Sequence, residues 1–169
     1  MNRARVAISL LAIVLALVVQ TTVFGAGGIE PLGVAPAFVT LVVIAIGPYV
    51  EAEYHVLLGF TAGIFMDLMG SSTLGLWAMT LTIVAYATVR LRERFNEGIL
   101  LTAFLVFSLT LLGQLIFITV GTLFGQDVVA DASVVAKVIL PAVWNLVLAI
   151  PVVWALALVF NQRDRRWAT

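Results

Sequence analysis

The sequence predicts an all-α, polytopic membrane protein, with six transmembrane helices forming a single integral membrane domain over residues 1–169. Hydrophobic residues fill 63% of the 169 positions and charged residues only 11%, against about 45–50% and about 25% in soluble domains. The mean hydropathy is +1.16. The apolar residues collect into segments at about 6–24, 34–48, 54–69, 74–89, 98–124 and 138–160, to be measured against the roughly 20 residues that cross a hydrocarbon core of about 30 Å.

The first segment follows Met1-Asn2-Arg3-Ala4-Arg5, a pattern shared with the n-region and h-region of a signal peptide. Its apolar run of about 19 residues exceeds the 7–15 of an h-region, which predicts an uncut helix. Gly25-Ala26-Gly27-Gly28 through Pro31 then breaks the chain, Gly47-Pro48 closes the second segment, and Gly70-Ser71-Ser72-Thr73 separates the third from the fourth. The second and third segments are short and rely on their flanks or on local thinning of the bilayer. The fifth is long and ends at the polar stretch Gln126 to Asp131. In the sixth, Pro141 and Pro151 each free a carbonyl one turn earlier, at Lys137 and Val147, which predicts a bend.

Charge sets the orientation. Arg3 and Arg5 precede the first segment, Arg90, Arg92 and Arg94 follow the fourth, and Arg163, Arg165 and Arg166 follow the sixth. Six crossings put all of them on one side, which the positive-inside rule makes cytoplasmic, together with both termini. Only Lys137 falls outside. The same clusters suit anionic membrane lipid, at about 1 kcal/mol per cation, and offer a surface to a cytoplasmic partner.

Several functions are disfavoured at this stage. No polar stretch is long enough for a catalytic head, so no enzyme activity is expected. The formal charge is zero, which argues against nucleic acid. The chain has no cysteine, which removes disulfides, thiolate metal ligands and cysteine nucleophiles. Glu51, Glu53 and His55 stand at two-residue spacing that does not converge on one helical face. No metal and no cofactor is expected.

The most informative pattern is Gly59, Gly63 and Asp67, one stripe of the third helix. Two glycines four apart let another helix approach closely in lipid. A carboxylate inside the bilayer costs roughly 2.5 kcal/mol or more unless it faces protein or water. Thirteen steps of about 1.5 Å from Tyr54 put Asp67 roughly 20 Å deep, in the outer half of the membrane. There it is expected to accept hydrogen bonds from backbone N–H groups at the start of the fourth helix, near Leu74 to Leu76, where the helix dipole favours an anion. Ala12 and Ala16 form a second small-residue pair, a candidate surface for internal packing or a partner helix. Gln114 and Asn145 are intramembrane polar residues suited to interhelical bonds of roughly 0.6–2 kcal/mol.

The run Leu58-Gly59-Phe60-Thr61-Ala62-Gly63-Ile64-Phe65-Met66-Asp67-Leu68, followed by a Gly/Ser turn and Leu74-Gly75-Leu76-Trp77-Ala78-Met79, resembles the signature of the MreD family. The chain departs from the family pattern at Pro36-Ala37, where an acidic residue often follows the proline, and at Thr73, where a proline often stands. The resemblance implies a non-enzymatic scaffold of the bacterial inner membrane. Such a scaffold binds MreC and helps couple the MreB filament to RodA and its class B penicillin-binding transpeptidase, hence to side-wall peptidoglycan synthesis and rod shape. It makes Gly59, Gly63, Asp67 and Gly75 candidates for helix packing or partner contact. It also implies a bundle similar to the S components of energy-coupling-factor transporters, and with it an alternative role as a small-molecule-binding subunit. In that fold an alanine pair on helix one meets a coupling subunit, which adds Ala12 and Ala16 to the candidate interface.

Overall fold

The structure, a computed structural model, describes residues 3–25, 27–70, 73–94, 99–125 and 134–166, with only the backbone path for 99–100 and 161–166. The expected polar loop from Gln126 to Asp131 and the turn residues Ser71 and Ser72 lie outside the described residues. Among the described residues there are six α-helices and no strand: α1 (Arg3–Thr22), α2 (Phe38–Ala45), α3 (Ala52–Met69), α4 (Leu76–Arg92), α5 (Ile99–Leu123) and α6 (Val134–Arg166). Three stretches are long and apolar enough to cross a membrane, Arg3–Thr22, Leu101–Leu123 and Val134–Phe160. α6 runs on as one helix through Pro141 and Pro151.

The second segment differs from the expectation of a span over 34–48. Its α-helix has only eight residues, which rise about 12 Å. It is preceded by a non-helical stretch, 34–37, and followed by a 3-10 turn at Gly47–Tyr49. Every residue from Val39 to Ile46 is buried, as expected of a helix that is apolar on all sides. α2 is thus a core plug, contacting α1, α3, α4, α5 and α6. Val39, Val42 and Val43 join Ile13, Ala16 and Leu17 of α1, with Leu58, Ala62, Leu81 and Ala85 of the α3–α4 pair. Leu41 and Ile44 face the other way, onto Val84, Leu105, Val106, Leu109 and Ala149.

Non-helical backbone at membrane depth is tolerated only where protein or an internal cavity satisfies it. Here two side-chain amides do so. Gln20 of α1 donates from Nε2 to the Pro36 carbonyl at 3.1 Å and accepts from the Phe38 N–H at 2.7 Å. Asn145 of α6 donates from Nδ2 to the Ala37 carbonyl at 2.8 Å and to Thr110 Oγ1 of α5 at 3.1 Å. The outward faces of the long helices remain apolar, with Leu11 and Leu15 on α1, Phe104 and Leu115 on α5, and Val147, Ile150 and Trp154 on α6 all more than half exposed. Such a surface suits lipid contact.

One end of the bundle gathers the start of α1, the Gly47–Tyr49 turn, the start of α3, the end of α4 and the late part of α6. Tyr49 stacks on Phe160 at 4.3 Å with 4° between ring planes, and Gly47 lies against His55 and Thr88. This basic end is opposite the end that carries Asp67.

Candidate functional site

The close approach of α3 and α4 follows from the two glycines. A Cβ on Gly63 would stand 2.3 Å from Ala78 Cα and 2.4 Å from the Trp77 carbonyl oxygen. A Cβ on Gly59 would stand 2.6 Å from Ala85 Cβ and 2.8 Å from the Leu81 carbonyl oxygen. All four distances are shorter than real Cβ contacts, so the helices meet where only glycine fits. The small-residue stripe is therefore covered by α4 of the same chain.

One turn further along, Asp67 is 4% exposed and points at the start of α4. Its Oδ2 accepts the N–H of Gly75 at 2.9 Å and of Ala78 at 3.0 Å, and Oδ1 accepts the N–H of Trp77 at 3.0 Å. The sequence-based expectation centred the donors on Leu74 to Leu76, and the observed ones reach from Gly75 to Ala78. The N-cap position of α4 is Gly75, at φ +95°, with no side chain to bond the first-turn amides. A left-handed φ is cheap only for glycine. Asp67 thus supplies from a neighbouring helix the acceptor that an Asp or Ser N-cap would give locally. Its charge meets the positive end of the α4 dipole, and charge-assisted bonds of this type are about twice as strong as neutral ones.

The neighbourhood extends to α5, because the Trp77 ring packs on Phe117 at 4.3 Å. Behind Trp77 lies a cavity of about 250 Å³ lined by Gln20, Thr40, Trp77, Gln114, Lys137 and Pro141 among others. Gln114 is half-buried. It lines this cavity. Asn145 is fully buried in its bridge from α6 to α5 and the lead-in to α2.

The remaining candidates separate. Ala16 is 1% exposed within the core, and Ala12 packs against the same cluster, so this pair faces the interior. At the basic end, Arg90 donates from Nε to Tyr86 Oη at 3.0 Å and pairs with Glu93 at 3.4 Å. Arg92 is half-buried and Arg94 exposed. Arg163, Arg165 and Arg166 lie on the last turns of α6, and their side chains are outside the described residues. Glu51 and Glu53 are exposed whereas His55 is buried, so these three share no surface. Sequence reasoning did not single out Gln20 or Thr110. Gln20 did carry a signal, as the one amide in the apolar run of α1.

Comparison with known proteins gives one positive result. No curated protein and no solved structure matches the chain significantly. The family model described as rod shape-determining protein MreD matches residues 2–159. With nearly all of its 169 residues inside that match, glycine stripe and Asp67 included, the chain belongs to the MreD family.

Proposed function

We propose that this rod-shape-determining membrane protein is a non-enzymatic scaffold of the elongasome. In this reading it binds MreC and helps couple MreB to peptidoglycan synthesis by RodA and its class B penicillin-binding transpeptidase. It is multi-pass in the bacterial inner membrane, with both termini cytoplasmic. The family match over residues 2–159 carries the reading. Its physical support is a preorganised hairpin: α3 and α4 are in backbone contact at Gly59 and Gly63 and tied at Asp67.

Because the glycine stripe and Ala16 face inward, the single helix of MreC is assigned to an outward apolar face of α1, α5 or α6. Co-purification with MreC from native membranes tests this. Gly63→Leu is expected to lose the folded protein and the partner together, whereas bulky changes at Leu11 and Leu15, or their counterparts on α5 and α6, lose the partner alone. A folded Gly63→Leu protein without MreC would place the contact at the stripe instead.

One observation favours a second reading, the S-component-like subunit. The cavity behind Trp77 presents Gln20, Thr40, Gln114 and Lys137, a polar lining suited to a small molecule. Mass spectrometry of the purified protein separates the two, since a stoichiometric small molecule supports the second.

A further inference from the structure

We infer that the cavity behind Trp77 binds a small organic carboxylate at the start of α2, which deepens the small-molecule reading of that cavity and rests on it. The first turn of a helix leaves N–H groups without an intrahelical acceptor, and inside a membrane each needs one from elsewhere. α2 supplies none locally, because its N-cap residue is Ala37, with no side-chain capping bond. Gln20 Oε1 accepts the Phe38 N–H. No acceptor among the described residues takes the N–H of Val39 or of Thr40. The start of α4, by contrast, is met by both carboxylate oxygens of Asp67.

Val39 and Thr40 both line the cavity. Thr40 is 4% exposed, and its hydroxyl has no hydrogen-bond partner among the described residues. Unlike Ser9 Oγ, that hydroxyl is not sealed off by protein. Gln114 of α5 lines the same space and likewise has no partner among the described residues. A carboxylate accepts from backbone N–H groups, a hydroxyl and a side-chain amide together, and the positive end of the α2 dipole favours its charge. Lys137 also lines the cavity but is engaged in an interaction of its own, so it is not counted among the ligands. Asp67 does not line it, and its charge is held by the start of α4.

The rest of the wall sets the body of the ligand. Met66, Trp77 and Leu81 are largely apolar, and the volume of about 250 Å³ equals roughly eight waters at about 30 Å³ each. That is room for a single-ring acid. A second cavity of about 250 Å³, at the basic end, is lined by Arg5, Tyr49, Glu51 and Tyr54. All four are engaged in interactions of their own, so it offers no comparable set of open donors.

The test titrates benzoate and its neutral counterpart benzamide into the purified full chain in micelles, following backbone amide resonances by nuclear magnetic resonance. Benzoate is expected to shift Val39 and Thr40, to leave Gly75 and Ala78 in place, and to bind at least about tenfold more tightly than benzamide, since bonds to a charged acceptor are about twice as strong as neutral ones. Thr40→Val should weaken benzoate about fivefold or more and benzamide by less than about twofold. Equal affinities would overturn the carboxylate while leaving the small-molecule reading standing, and binding of neither probe would overturn both. A benzoate response at Gly75 and Ala78 instead, or a folded Thr40→Val protein with unchanged benzoate affinity, would also overturn the assignment. The ranking and the amide shifts of the native protein decide the matter even if Thr40→Val fails to fold.

Discussion

Two buried polar residues of α3, Asp67 and His55, differ in what surrounds them, and they predict opposite responses to removal. Asp67 holds three backbone N–H groups through two oxygens. Asp67→Asn replaces one of those oxygens with an amide that donates, which sets donor against donor at the start of α4. We expect a loss of roughly 2–4 kcal/mol in reversible unfolding in mixed micelles, from bonds to a charged acceptor worth about 1.5–3 kcal/mol each. His55 is fully buried, and neither ring nitrogen has a hydrogen-bond partner among the described residues. A buried polar group without a partner costs about 1–3 kcal/mol. His55→Leu is therefore expected to leave stability unchanged or raise it by about 1 kcal/mol in the same assay; a loss as large as that of Asp67→Asn would show that the ring is engaged in the membrane. Gly75 gives a third case. Its φ of +95° has open space around it, so Gly75→Ala should cost about 1–2 kcal/mol through backbone conformation alone, and Gly75→Asn less.

At the scale of helices, the α3–α4 pair ranks the glycines. An added Cβ at Gly63 meets backbone of α4, which cannot yield without moving the whole helix. At Gly113 of α5 it meets Val84 Cγ2 at 3.2 Å, the end of a side chain that adjusts by a few tenths of an ångström. Gly63→Ala is expected to destabilise by about 1–3 kcal/mol, the usual range for overpacking, while Gly113→Ala stays near neutral. Equal effects would mean that the two interfaces yield alike. Much of this pair was legible in the sequence, because Gly59, Gly63 and Asp67 repeat at helical spacing within one apolar run and a Gly-containing turn follows. The short α2 was not. Residues 34–37 are as apolar as their neighbours, and what satisfies their non-helical backbone is the convergence of Gln20 and Asn145, residues far apart in the chain. Spacing within one helix carries no record of such a meeting. Ala12 and Ala16 were ambiguous for a similar reason: a small-residue pair shows that a neighbour comes close but not whether that neighbour belongs to the same chain.

At the scale of the whole molecule, the arrangement is a core plug, α2, surrounded by the other helices, with polar ties at one end and aromatic and charged groups at the other. Composition alone foretold the apolar outer faces, because lipid contact leaves its mark on every outward residue. The two cavities were invisible from sequence, since each is lined by residues from several elements. As a rod-shape protein, the chain should restore cylindrical form to bacteria depleted of their own family member, and Asp67→Ala should fail to do so while still reaching the membrane, as seen by microscopy of a tagged protein. Full rescue by Asp67→Ala would separate the hairpin lock from the shape function. The most direct measurement is hydrogen–deuterium exchange over residues 73–80 in lipid nanodiscs, comparing the native protein with Asp67→Ala. If the carboxylate holds the start of α4, the amides of Gly75, Trp77 and Ala78 exchange slowly in the native protein and at least about tenfold faster in the variant, with α1 and α6 unchanged. Equal exchange in the two proteins would contradict the lock.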